Sequence, residues 1–171
     1  MTVACRPYPI AASPHEDARS TIRGMSDRVT AAILAAGSGI RFGGSTPKQL
    51  LPLAGKPLLA HSLEAFAAVE TVDAIVVVTT DDLVAEVRDL ASVVIPKTTD
   101  VISGGATRDG STRAALGVVS DPNGKILVHD AARPLIAPKI IAACVTALDR
   151  FDAVGVAVPS ADTMLEVVDD R

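Results

Sequence analysis

Between Val29 and Gln49 the chain reads VTAAILAAGSGIRFGGSTPKQ, an uncharged apolar run that passes directly into a glycine-rich loop carrying Arg41 and Lys48. A short run without charge fits a strand buried on both faces, the setting of a parallel sheet covered by helices. Glycines at 37, 39, 43 and 44 remove Cβ atoms, so the backbone can turn sharply and come close to a ligand. Main-chain amides exposed in such a loop form an anion-binding nest. Two cations beside it complete a phosphate site. The competing reading is a glycine turn whose Arg and Lys are merely solvated. Strand–loop–helix units of this kind commonly carry ligands, which favours the phosphate site.

Two familiar loop chemistries do not fit. A dinucleotide fingerprint counted from Gly37 would need its third glycine where Phe42 stands. A P-loop counted from Gly39 reaches Gly44, but Ser45 and Thr46 occupy the places of the required Lys and Ser/Thr. The letters present are A-A-G-x-G-x-R followed by P-K-Q, and this resembles the signature of the sugar-phosphate nucleotidyltransferases. The P-K-Q ending is most similar to the 2-C-methyl-D-erythritol 4-phosphate cytidylyltransferases, or to their relatives acting on ribitol 5-phosphate.

Composition narrows the alternatives. A chain of 171 residues suits one domain with a sizeable core. One Tyr, three Phe and no Trp leave little surface for stacking bases, and a net charge of −4 argues against a polyanion-binding face. No nucleic-acid partner is therefore expected, and any phosphate must meet a local cluster of cations. No apolar run approaches the roughly 18 residues of a membrane span, so no membrane partner is expected either. Cys5 and Cys144 lack metal-ligand spacing, and Cys144 falls in an apolar helix as a core residue. The expectation is a soluble protein of a reducing compartment, the cytoplasm.

Met1–Asp27 holds Pro7, Pro9, Pro14 and a His15-Glu16-Asp17 run without sustained periodicity, and is read as a disordered tail preceding the domain at 28–171. Within the domain, Leu50–Ala54 reads as extended and Gly55-Lys56-Pro57 as a turn opening a helix to about Ala68. His61 in that helix is given no role. Ala74–Thr79 is a second buried strand, and Asp81-Asp82 opens a helix to about Leu90 with acidic residues at its N-terminus. Ser92–Ile95, Lys125–Val128 and Ala153–Val158 read as three further strands, with helices to about Val119 and over Pro138–Leu148 between them. Alternating strands and helices predict an α/β fold, an open, mostly parallel, Rossmann-like sheet with helices on both faces.

Two more segments carry chemistry. Ser103–Ser111 contains GGATRDGS, whose bland reading is a loop with Asp109 or Ser111 as the helix cap. His129-Asp130-Ala131-Ala132-Arg133-Pro134 follows the strand at Lys125–Val128, at the carboxyl end where open α/β sheets place ligands. His129 serves either a structural hydrogen bond or the site, and Arg133 can hold the loop by pairing with a carboxylate such as Asp130.

The resemblance, carried by three motifs in family order, implies more. It implies transfer of CMP from CTP to methylerythritol phosphate, with Mg²⁺ as the cofactor and pyrophosphate as the leaving group. Arg41 and Lys48 would stabilise charge on the phosphates. Ala35, Ala36, Gly37, Gly39 and Ala131 would line the nucleotide, while Gly105, Ala106 and Ser111 would meet the base. Asp130 would hold the metal and Thr163 would touch the sugar or polyol phosphate. Family members continue beyond the position of Arg171 into a dimer arm, and commonly have Lys where Leu165 stands. The domain is thus read as incomplete at its C-terminus, with a weakened homodimer. Ribitol 5-phosphate as acceptor, or an inactive CTP-binding fragment, are the alternative readings.

Overall fold

The computed structural model describes residues 2–4, 28–37, 46–95, 99–119, 121 and 123–157. Its elements in chain order are β1 (Thr2–Ala4), β2 (Val29–Leu34), the short strands β3 (Pro52–Leu53) and β4 (Lys56–Pro57), and α1 (Leu58–Ala67). There follow β5 (Ala74–Thr79), α2 (Val84–Val94), β6 (Thr99–Ser103), α3 (Arg108–Val118), β7 (Lys125–Asp130), α4 (Pro138–Ala147) and β8 (Gly155–Ala157). The main sheet is parallel with strand order β6-β5-β2-β7.

All six residues of β2 are buried, as a central strand covered on both faces requires. Successive side chains point to opposite faces. Ala31, Ile33, Ile75 and Val77 pack with buried residues of α1, α2 and α4, among them Leu63, Val87 and Ile141. Ala32, Leu34, Val76 and Val78 pack on the other face against Ala115 of α3. Ile33, Leu63 and Ile75 are wholly buried, each contributing about 1.5–3 kcal/mol over an exposed position. The fold expected from the sequence is the fold observed.

Three element readings need correction. Ser92–Ile95 is not a strand. Ser92–Val94 is the last turn of α2, because Val87, Ala91 and Ile95 recur every fourth residue and are all buried, while Val93 is 86% exposed. The third parallel strand is β6, which pairs Ile75 with Thr99 and Thr79 with Ser103. The strand expected at Ala153–Val158 exists as β8, but it pairs antiparallel with β1, Thr2 opposite Ala157, and does not join the parallel sheet. Thr2–Ala4, within the segment expected to lack structure, is therefore a strand. The rest of that segment lies outside the described residues.

The chain order steps outward from β2 through β5 to β6, then crosses back to place β7 on the other side of β2. That reversal makes a crevice at the carboxyl ends of β2 and β7, the position where doubly wound sheets bind ligands. β3 and β4 form a hairpin through Ala54 and Gly55, both at positive φ. His61 on α1 ties down this hairpin, its Nε2–H donating to Leu53 O at 2.8 Å, so its role is local.

Candidate nucleotide site

The crevice is built by backbone bonds that prolong the ladders past the strand ends. Leu34 pairs in register with Asp130. Ala131 N–H then donates to Leu34 O at 2.9 Å, and Ala35 N–H to Val78 O at 2.7 Å. Gly104 N–H donates to Thr79 O at 2.7 Å. The first residues after β2, β6 and β7 thus emerge side by side. Ala35 and Ala131 are buried, Ala36 is half-buried and Gly37 is exposed at the rim. Gly39, Arg41 and Thr163, all expected at the site, lie outside the described residues.

The second glycine-rich loop packs directly on Ala36, just past the end of β2. A Cβ placed on Gly104 would lie 2.9 Å from Ala36 Cβ, 3.0 Å from Val78 Cγ1 and 2.7 Å from Ser111 Oγ. A Cβ on Gly105 would lie 2.8 Å from Gly110 Cα. Only hydrogen fits at either place. Gly105 and Ala106 are exposed, whereas Ser111 is 3% exposed, with its hydroxyl directed at Gly105 O across 3.4 Å. The helix cap is neither Asp109 nor Ser111. Thr107 Oγ1 accepts from Gly110 N–H at 3.0 Å, and Asp109 instead pairs with Arg113 Nε at 2.8 Å.

Asp130 ends β7 with its side chain 29% exposed. Its Oδ1 accepts from Arg108 Nη2 at 3.1 Å and Nε at 3.3 Å, and Arg133 Nε lies 3.3 Å from Oδ2. The pairing expected for Arg133 is present. Arg108 had no assigned role, although it is the Arg of the G-G-x-x-R-x-x-S spacing, and that spacing was the signal available for it. One face over, His129 meets Phe66 with ring centroids 5.1 Å apart, and its Nε2–H donates to Arg133 O at 3.1 Å. Burial pushes the imidazole pKa down, against the upward pull of that bond and of Asp130. Of its two readings, the structural hydrogen bond is the one observed.

Lys48 opens the 3-10 turn Lys48–Leu50 behind Pro47 and is half-buried. Next to it Gln49 is buried, and its Nε2 has no partner among the described residues. Beside β7 runs a cleft of about 800 Å³, lined by Phe66, His129, Asp130, Cys144 and Val156 among others. Cys144 is therefore a half-buried cleft residue rather than a core one, and burial raises its thiol pKa.

Among the described residues, the carboxylate a metal would meet at the carboxyl end of β7 is Asp130. Among the described residues no group of three or more His, Cys, Asp or Glu is placed to hold an ion. Asp130 alone fits a hard cation whose other ligands are phosphate oxygens and water, the ordinary Mg²⁺ arrangement beside a nucleotide.

Residues 29–171 match the family model described as 2-C-methyl-D-erythritol 4-phosphate cytidylyltransferase. The chain belongs to this family. The cytidylyltransferase of Thermobifida fusca (strain YX) is 47% identical over 146 residues, covering 84% of this chain and 59% of the relative. The bifunctional ribulose 5-phosphate reductase/CDP-ribitol pyrophosphorylase of Haemophilus influenzae is 38% identical over 141 residues, covering 81% of this chain and 30% of its own length. A solved 4-diphosphocytidyl-2C-methyl-D-erythritol synthase superposes with a TM-score of 0.65 at 27% identity, covering 86% of this chain and 67% of the other. That from Anaerococcus prevotii gives 0.62 at 25% identity, with 72% and 52% covered. The chain spans 59% of the Thermobifida cytidylyltransferase and 52% of the Anaerococcus synthase.

Proposed function

We propose that the chain acts as a cytidylyltransferase, transferring CMP from CTP to 2-C-methyl-D-erythritol 4-phosphate with release of pyrophosphate. The observation supporting this reading is that Ala35–Gly37, the GGATRDGS loop and HDAARP come together beyond the carboxyl ends of β2, β6 and β7. An oxygen of the acceptor phosphate attacks the α-phosphorus in line, the α–β bridging bond breaks, and pyrophosphate leaves. No protein nucleophile is needed, so the residues position and neutralise. Main chain at Ala35, Ala36, Gly37, Gly39 and Ala131 lines the nucleotide. The Gly105–Ala106 backbone meets the base edge, while Ser111, expected on the base as well, is buried and directs its hydroxyl at Gly105 O. Arg41 and Lys48 stabilise charge developing on the phosphates, Arg as a fixed fork of donors and Lys as a movable point charge. Asp130 holds Mg²⁺, which when bound neutralises phosphate charge. Thr163 contacts the acceptor.

The same reading places the catalytic domain at 28–171, with Thr2–Ala4 of the preceding segment paired to its strand β8, and the protein in the cytoplasm as a homodimer. No helix among the described residues is long and apolar enough to cross a membrane. Similarity to the CDP-ribitol pyrophosphorylase supports ribitol 5-phosphate as a second acceptor to test. Pyrophosphate release from CTP is measured with each acceptor and with none. Release dependent on methylerythritol phosphate is the expected result. Dependence on ribitol 5-phosphate transfers the assignment to that acceptor, and CTP binding without release under any condition reduces the chain to a nucleotide-binding domain.

A further inference from the structure

Both oxygens of the Asp130 carboxylate face arginines, unequally: Arg108 makes two hydrogen bonds to Oδ1, while Arg133 Nε stands 3.3 Å from Oδ2 with its side chain 78% exposed. Only the main chain of Arg133 is tied to the strand end. Its N–H donates to Asp130 O at 2.9 Å and its carbonyl accepts from His129. Arg108 arrives from 22 residues away in sequence, as the first residue of α3, with its side chain 72% exposed. Both of its contacts fall on the single oxygen Oδ1. Nothing else in the described structure clamps its guanidinium.

We infer that Arg108 is a latch on Asp130: it occupies the carboxylate against free divalent cations and gives way to a metal ion that arrives with the nucleotide triphosphate. This rests on the reading of Asp130 as the metal ligand. Mg²⁺ or Mn²⁺ coordinates a carboxylate oxygen directly, so it competes with Arg108 for Oδ1. A free ion must expel the guanidinium and leave it with water alone. A metal–triphosphate brings acceptor oxygens suited to that guanidinium, which offsets the loss. The pair is partly exposed, the regime in which an ion pair is modest and readily exchanged. Arg108 also stands in the Gly104–Ser111 loop proposed to read the base, so nucleotide arrival and latch release involve one segment. Arg108 is in this sense a positioning residue for the metal, acting through Asp130.

The test uses Mn²⁺ as a probe with the 171-residue chain and no nucleotide, binding being read from the electron paramagnetic resonance of the free ion. Arg108→Ala is expected to tighten Mn²⁺ binding about 5-fold, the ratio that a partly exposed ion pair of about 1 kcal/mol controls. Arg108→Lys, which keeps the charge but not the fork, should fall between. Arg113→Ala removes the same charge from the same helix without touching Asp130 and should leave the affinity unchanged. With CTP present, the advantage of Arg108→Ala should disappear. Equal Mn²⁺ affinity in the wild type and Arg108→Ala overturns the latch and leaves Asp130 as ligand untouched. An equal gain in Arg113→Ala overturns it too, by reducing the effect to general charge. Tight Mn²⁺ binding that survives Asp130→Asn in the Arg108→Ala background instead shows that the metal sits elsewhere, and removes the ligand assignment together with the latch.

Discussion

Gly104 lies against Ala36 so closely that a Cβ on the glycine would stand 2.9 Å from the alanine Cβ. The end of β2 and the glycine-rich loop after β6, distant in sequence, are thereby packed as one floor. Gly104→Ala should cost about 1–3 kcal/mol, the usual range for overpacking, because Val78 Cγ1 and Ser111 Oγ crowd the same point at 3.0 and 2.7 Å. Gly37→Ala offers the contrast. A Cβ there meets nothing within 4 Å among the described residues, so urea unfolding should be unchanged while CTP affinity falls. Loss of stability in Gly37→Ala, or none in Gly104→Ala, contradicts this account of the floor.

The Gly104–Ser111 loop depends on its cap. Thr107→Ala removes the only side-chain acceptor that the described structure offers Gly110 N–H and should lower stability by about 1 kcal/mol. Asp109→Ala breaks an exposed i, i+4 pair with Arg113 and should change it little. Chemical denaturation of the two variants separates them, and the reverse order of effects would return the cap to Asp109.

What was legible in the sequence, and what was not, divides along contact distance. β2 and β5 were plain because uncharged runs of β-branched and small residues admit little besides a buried strand. Val93, Val94 and Ile95 misled because they are strand formers by composition, while the helical spacing of Val87, Ala91 and Ile95 decided the matter. β6 was hidden by its polar residues: it is an edge strand, and Asp100 faces solvent. β8 was found in place but not in partner, since its pairing with β1 spans most of the chain. The family resemblance put forward Ala35, Gly105 and Asp130, which lie at or just past the ends of β2, β6 and β7, whereas the grip of Arg108 on Asp130 is a tertiary contact that spacing alone does not disclose.

Lys48 is assigned to the transition state. Lys48→Ala should therefore lower kcat by roughly 10²-fold or more, as removal of a preorganised charge-stabilising donor does. Steady-state kinetics with CTP as the varied substrate provides the check. An unchanged kcat with a raised KM would make Lys48 a ground-state binding residue.

His129 links stability to pH. Its pKa is lowered in the folded protein, chiefly by burial, so the unfolded chain binds the proton more readily. Its contribution is complete above the ordinary value of 6.5 and is lost as pH falls below that value, toward the folded pKa. Unfolding free energy should accordingly decline on acidification from pH 7, and His129→Gln should flatten that decline. A variant with the same slope as the wild type removes His129 as its source.

Asp130 bears the central claim, that the three motifs form one metal–CTP site at the carboxyl ends of β2 and β7. The direct measurement is calorimetric CTP affinity with and without Mg²⁺, in the wild type and in Asp130→Asn. The wild type should bind CTP more tightly with Mg²⁺, and the variant should lose most of that gain. The same Mg²⁺-linked gain in both proteins would contradict the account.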